Sequence, residues 1–261
     1  MTLNITIALM EQIGELAKKA GVAIMEIYDT DFEVEHKADQ SPVTEADRIA
    51  EDIITQGIRE GITAQYPVVG EEAFAAGHAP VVGSDPFWLV DALDGTKSFI
   101  AKSPEFTVNI ALIENRKPVL GVVHTPAMGN TFWGCASGAF GEINGQPATA
   151  ISCRQPTDDG LVVVASRNHR SPELEAYIAD LNVRDQTSAG SSLKFCLVAT
   201  GDADIYPRLG RTMEWDIAAG HAVVIAAGGS VCKMDGSPMT YGKPGFENPN
   251  FIVRGLESGS D

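Results

Sequence analysis

Basic residues are scarce in this chain. Its 19 Lys and Arg stand against 35 Asp and Glu, giving a net charge of −16 over 261 residues. Such an excess of negative charge repels nucleic-acid backbones and anionic lipids, which argues against binding of a nucleic acid polymer. Cysteine is also sparse. The four, Cys135, Cys153, Cys196 and Cys232, lie far apart with no C-x-x-C pair. They read as reduced, mostly buried thiols, and no short ligand spacing suggests structural zinc. No stretch approaches the roughly 18 apolar residues that a membrane span requires. Glu11, Glu15, Lys18 and Lys19 interrupt the apolar pattern of the first 27 residues, so no signal peptide is expected. A cytoplasmic protein with no transmembrane segment follows as the expectation. Peripheral attachment to the cytoplasmic side of the inner membrane has no visible determinant.

What is present is an ordinary globular mixture, 44% hydrophobic and 21% charged. Ile5, Leu9, Ile13, Leu16, Ala20, Ile24 and Ile27 recur at helical spacing and predict a long amphipathic helix over 4–28. A short half-exposed strand is expected over 32–36, then a polar loop over 37–43. Thr44-Glu45-Ala46-Asp47 has the form of an N-cap with an acidic first turn, opening a second helix. Pro67–Gly70 and Phe87–Val90 read as strands, separated by a loose loop over 73–85. Strands near 105–113, 118–124 and 131–135 follow in a meander. The turn-rich segment 143–158 marks a boundary between halves 1–150 and 151–261. The second half alternates strands at 161–165, 183–187, 203–206, 230–233 and 250–253 with helices at 172–180, 191–200 and 214–228. The pattern predicts a layered α/β (α+β) fold, with a mostly antiparallel sheet first and a mixed sheet second.

The strongest local signal is Asp91-Ala92-Leu93-Asp94-Gly95-Thr96, where two carboxylates leave the end of an apolar strand. Gly95 permits a tight turn, Thr96 can cap a short helix, and exposed N–H groups at such a turn bind phosphate oxygens. One segment thus offers hard oxygen ligands, suited to Mg²⁺, beside an anion cradle. Taken alone, it also fits a surface turn. Gly70-Glu71-Glu72 likewise follows a short strand, and Glu214-Trp215-Asp216 opens an apolar helix. An anion entering so acidic a protein needs a cation to meet it.

Together, Gly70-Glu71-Glu72, Trp88-x-x-Asp91-x-Leu93-Asp94-Gly95-Thr96 and Trp215-Asp216-x-Ala218-Ala219-Gly220 resemble the inositol monophosphatase superfamily, in order and separation, over essentially the whole chain. These are lithium-sensitive, Mg²⁺-dependent phosphatases. The resemblance implies a layered α-β-α-β-α sugar-phosphatase-like fold whose first half carries most metal ligands and whose second half closes the site. It implies two or three Mg²⁺ per site, held by Glu71, Asp91, Asp94, Asp216 and the Leu93 carbonyl. Gly95 and Thr96 would hold the phosphate. Thr44-x-x-Asp47 matches the family segment whose Asp pairs with the motif Thr, so Asp47, Thr96 and Glu71 would activate water, with no covalent phosphoenzyme. A monomer or homodimer is implied. Ala92 departs from the family's usual Pro and removes no ligand.

Asp94-Gly95-Thr96-Lys97-x-Phe99-Ile100, Ser166-Arg167-x-His169, Gly190-Ser191-Ser192-Leu193-Lys194-Phe195-Cys196 and Ala203-Asp204-x-Tyr206-Pro207-Arg208 resemble the 3'(2'),5'-bisphosphate nucleotidase branch. That branch hydrolyses adenosine 3',5'-bisphosphate to AMP, and the corresponding phosphosulfate is a further candidate substrate. A second phosphate needs its own cations. Lys194 and Ser191 at a helix start and the Arg208 fork suit it, with Ser166, His169 and Asp216 as further substrate contacts. Lys97 is undecided, and His221 reads as a packed structural histidine. Competing readings are an inositol or other sugar monophosphatase, a catalytically silent metal-binding regulator, and an acidic interaction module.

Overall fold

The structure, a computed structural model, describes residues 3–37, 42–166 and 171–256. Helix α1 (Ile7–Tyr28) starts where the Thr6 hydroxyl accepts the Leu9 N–H, and it buries Leu9, Ile13, Ala17, Ala20 and Ile24 along one stripe. Strands β1 (Glu35–His36) and β2 (Pro42–Val43) form a small antiparallel ribbon. Helix α2 (Glu45–Gly61) begins as expected at Thr44, whose N–H and hydroxyl both donate to the Asp47 carboxylate at 2.8 and 2.7 Å.

Strand β3 (Val68–Gly70) runs straight into a one-turn helix, α3 (Glu71–Ala75), so the expected loop over 73–85 starts with helical residues. Strand β4 (Phe87–Asp94) does not stop at Asp91. The chain stays extended to Asp94, with a register break against its neighbour between those two residues. Helix α4 (Thr96–Ile100) is capped by Gly95 rather than by Thr96. Gly95 sits at φ 97°, a left-handed conformation that a side chain disfavours, and Thr96 is the first helical residue. The meander continues through β5 (Thr107–Glu114), β6 (Lys117–Thr125) and β7 (Asn130–Cys135). It gains two strands the sequence pattern hid, β8 (Gly138–Glu142) and β9 (Thr149–Ile151), the second inside the expected boundary segment.

The second half comprises β10 (Leu161–Ser166), α5 (Pro172–Ala179), β11 (Val183–Ala189), α6 (Leu193–Ala199), β12 (Ile205–Arg208), α7 (Glu214–Ala226), β13 (Ser230–Lys233) and β14 (Phe251–Arg254). Strand order is β3-β4-β5-β6-β7-β8-β9 in one sheet and β11-β10-β12-β14-β13 in the other. Only the β3–β4 pair of the first sheet is parallel, whereas the second is mixed.

Side-chain alternation assembles the layers. On β4 and β5, Trp88, Val90, Val108, Ile110 and Leu112 face a core shared with α1 and α2, while Phe87, Leu89, Ala111 and Ile113 join the core of α6 and α7. The second sheet shares that latter core through Val162, Val164, Tyr206, Phe251 and Val253. Its Val163, Ala165, Ile205 and Ile252 pack with Leu174 and Ile178 of α5. The result is an α-β-α-β-α stack.

Helix α7 carries Asp216 and lies flat on the first sheet, because Gly121 leaves it room. A Cβ there would come within 2.3 Å of the Ala219 carbonyl oxygen and 2.8 Å of the Ala219 Cα. Both are backbone atoms, so no rotamer change relieves the clash. Gly121→Val is expected to cost about 3 kcal/mol by overpacking, or roughly 6–12 °C in Tm for a chain of this size. A scanning-calorimetry Tm within 2 °C of the unaltered protein would refute the close-approach argument.

Candidate active site

Three chain segments that are remote in sequence end at one place. Glu71 is the first residue of α3, Asp91 lies in β4, and Asp216 sits in the first turn of α7. Each offers a carboxylate oxygen, and these oxygens lie within 4.8 Å of one another. Asp91 is buried, while Glu71 and Asp216 are half-buried and face a cavity of about 390 Å³. Asp94 stands beside the trio on the same cavity wall. The Leu93 carbonyl faces the same turn, 3.4 Å from the Thr96 hydroxyl oxygen.

Such crowding of like charges is costly without a cation. Burial, then the charges of Glu71, Asp94 and Asp216, push the Asp91 carboxyl well up. Burial, then Asp94 and Glu71, do the same to Asp216. Asp94 is pushed up to about 6 by burial, with Lys194 opposing and Glu71 adding to the shift. Lys37 is the cation nearest Glu71 in the structure: its ammonium bridges Glu71 at 2.6 Å and Glu72 at 2.5 Å. A set of hard carboxylate oxygens repelling one another at an open cavity wall fits a divalent cation such as Mg²⁺.

A pH dependence follows. An unfolded Asp titrates near 3.8, whereas Asp94 in the fold titrates near 6. Between those values Asp94 in the metal-free fold holds a proton that the unfolded chain has lost, so its contribution to stability falls as pH rises through the window, opposed by the buried His124 and His221, whose pKa values burial lowers to about 4 and about 3. Asp91 and Asp216 are shifted in the same direction. In EDTA, Tm is expected to be higher at pH 5 than at pH 7.5, with saturating Mg²⁺ removing the difference. A Tm in EDTA that climbs from pH 5 to 7.5 would contradict this reading.

The anion cradle lies against the trio. Ser98 and Phe99 donate their N–H groups to the Gly95 carbonyl, so the first N–H groups of α4 have no intrahelical partner. Gly95 and Thr96 both line the cavity. The Thr96 hydroxyl donates to Asp47 Oδ1 at 3.1 Å, which leaves the threonine oxygen as an acceptor. Asp47 is buried 3% exposed behind that hydroxyl, and its carboxyl is raised by burial against its hydrogen bonds from Thr44 and Thr96.

The cavity wall also carries buried cations. Lys194 is 4% exposed and donates to the carbonyls of Ser191 and Ala189 at 2.5 and 3.3 Å. Burial pulls its pKa down to about 8, with Asp94 opposing. Arg208 is 9% exposed and gives one N–H to the Arg211 carbonyl, while its Nε has no partner among the described residues. Neither is a solvated surface ion pair. The ordered helix α6 starts at Leu193, two residues later than expected, because Ser191 adopts a left-handed φ of 42°. Ser166 is buried at the cavity wall, and Lys97 lines it too. His169 lies outside the described residues. His221 packs away from the cavity with its Nδ1 2.7 Å from the Tyr241 hydroxyl, and burial lowers its pKa to about 3.

Sequence reasoning missed Lys37, read only as part of a polar loop, and Glu105 and Thr212, which line the cavity. No local signal marks them, since each is placed by long-range packing.

The sequence model of the Inositol monophosphatase family matches residues 8–257. The chain is 45% identical over 248 residues to the 3'(2'),5'-bisphosphate nucleotidase CysQ of Escherichia coli strain K12, covering 94% of this chain and 99% of that protein. The crystal structure of CysQ from Bacteroides thetaiotaomicron, a bacterial member of the inositol monophosphatase family, is similar at a TM-score of 0.80 and 40% identity, covering 95% of this chain and 97% of that one. An IMPase from Thermotoga maritima is similar at a TM-score of 0.76 and 27% identity, covering 95% and 92%.

Proposed function

The chain belongs to the inositol monophosphatase family, and on that premise we propose that it is a Mg²⁺-dependent phosphatase that removes the 3'-phosphate of adenosine 3',5'-bisphosphate, leaving AMP. The observation that carries the substrate is the pair Lys194 and Arg208, buried in the same cavity as the carboxylate cluster. A monoester needs no second cationic subsite. A bisphosphate does, and Arg208 Nε is a buried donor still lacking an acceptor. The volume of about 390 Å³ suits a nucleotide-sized ligand.

Glu71, Asp91, Asp94, Asp216 and the Leu93 carbonyl would hold the metal, in two or three positions. Bound Mg²⁺ supplies positive charge against the anionic phosphate and acidifies water beside it. The remaining work falls to the chain itself. The N–H groups of Gly95 and Thr96 orient the transferred phosphate at the start of α4. The Thr96 oxygen, its own proton committed to Asp47 Oδ1, accepts a proton of the attacking water and aims its lone pair at phosphorus. The Thr96 proton passes in turn to Asp47 Oδ1, which ends the step protonated, while the leaving 3'-oxygen takes a proton from solvent; Glu71 lines the same cavity. Ser191, Lys194, Arg208 and Ser166 take the second phosphate and the sugar. No Cys, Ser or His nucleophile is required, so the phosphoryl group passes directly to water.

Incubation with adenosine 3',5'-bisphosphate and Mg²⁺, resolved by chromatography, is expected to give AMP and one phosphate. Adenosine 3'-phosphate as the product would reverse the assignment of the two phosphate subsites. No product of either kind would refute the substrate.

A further inference from the structure

The geometry points to Glu51 as the positioning residue that aims Glu71 into the metal cluster, an inference that rests on reading Glu71 as a metal ligand. Glu51 lies on α2 one turn after Asp47 and on the same face, yet it is 6% exposed and, among the described residues, lines no part of the cavity that holds the cluster. Its two carboxylate oxygens divide the work. Oε2 accepts the Glu72 N–H at 2.7 Å, and Oε1 accepts the Ala73 N–H at 2.8 Å. Those are first-turn N–H groups of α3, which have no partner inside the helix. Burial pushes the Glu51 carboxyl up to about 7, with those two N–H groups opposing and the charges of Glu72 and Glu71 adding to the shift.

Glu71 is therefore held from both sides. On its N-terminal side, Gly70 is locked in parallel register with Val90, the residue before Asp91. On its C-terminal side, Glu51 fixes the next two N–H groups. Between the two anchors, the backbone of Glu71 has little freedom. Its carboxylate is delivered to within 4.8 Å of Asp91 and Asp216 despite their mutual repulsion.

The same contact explains why glycine precedes the paired glutamates. A Cβ on residue 70 would lie 2.3 Å from the Glu51 carboxyl carbon and 2.4 and 2.5 Å from its oxygens. The clamp and a side chain at position 70 cannot share that space. Glu51 and Gly70 thus form one unit, and this makes the proposal testable by coupling rather than by loss alone.

The test is the binding of Mn²⁺, as a spectroscopic stand-in for Mg²⁺, to the substrate-free protein, read by the paramagnetic resonance of the free ion. Glu51→Ala and Gly70→Ala are each expected to weaken Mn²⁺ binding about 10- to 100-fold, as loss of a residue that orients a ligand does. The double variant is expected to bind no more weakly than Glu51→Ala, because the alanine Cβ then enters space the carboxyl has vacated. Glu51→Gln keeps the volume but offers one acceptor for two N–H groups. It is expected to weaken binding at a temperature well below its own Tm, and it serves if the alanine variant does not fold. The Mg²⁺ concentration for half-maximal rate should rise by the same factor. Unchanged Mn²⁺ affinity in Glu51→Ala or Glu51→Gln, or a double variant whose loss is the product of the two single losses, would overturn the clamp. If Mn²⁺ binding is meanwhile lost in Asp91→Asn, the metal reading of the cluster survives that failure. Absence of Mn²⁺ binding by the unaltered protein would overturn both.

Discussion

Asp91→Asn is expected to slow metal-dependent phosphatase turnover about 10³-fold while raising the Tm of the metal-free protein. The two effects come from the same carboxylate. Asp91 is buried and faces the charges of Glu71, Asp94 and Asp216, with Lys37 the opposing cation. In the metal-free fold this is a liability. Asparagine keeps the shape and an oxygen able to accept the Leu93 N–H, which Asp91 takes at 3.1 Å, and it removes the repulsion. Each kcal/mol of relief raises Tm by about 2–4 °C in a chain of this size. The price appears when metal is added. A neutral amide holds a divalent cation poorly, and losing about 4 kcal/mol of charge stabilisation in the transition state slows turnover about 10³-fold. Calorimetry with and without Mg²⁺, beside phosphate release, reads both. A variant with a lower metal-free Tm and intact Mg²⁺ stabilisation would place Asp91 among structural residues instead.

Arg208→Met is expected to remove the preference for a bisphosphate. The guanidinium is buried, with an uncommitted Nε, so a phosphate it grips is held in a dry, strong interaction. Truncating one partner of such a pair costs about 2–5 kcal/mol, which corresponds to roughly a 30- to 4,000-fold loss in kcat/KM for adenosine 3',5'-bisphosphate. Inositol 1-phosphate, which places nothing there, should lose far less. The arginine also favours the charged forms of Asp94 and Asp216. Without it, both carboxyls of the metal-free protein hold their protons to higher pH. Equal losses on both substrates would deny Arg208 a role in specificity.

Much of this site was legible because its chemistry is written at the ends of regular elements. An apolar run followed by Asp91, a strand followed by Glu71 and a helix opening on Asp216 are local patterns, and the layered fold brings those ends together. Thr44 and Asp47 were legible for the same reason, since a helix start has its own signature. Other features depended on packing that no local pattern reveals. Glu51 reads as one more acidic residue on a polar helix face until α3 is seen docked on it. Lys37 reads as loop until it meets Glu71 and Glu72. Strands β8 and β9 are short and lie among Gly, Asn and Pro residues, so turn chemistry masked them. The extension of β4 to Asp94 was hidden because a polar residue at 91 resembles a strand end. It is instead a buried position in the ladder, paired with Asn109.

If a carboxylate-held divalent cation and a buried pair of cations together select a nucleoside bisphosphate, one comparison shows it. Phosphate release from adenosine 3',5'-bisphosphate and from inositol 1-phosphate would be measured on the same preparation, stripped with EDTA and then reconstituted with Mg²⁺. The expected result is no turnover after stripping, recovery with Mg²⁺, and a clear preference in kcat/KM for the bisphosphate. Equal or faster turnover of inositol 1-phosphate, or full activity in EDTA, would contradict it.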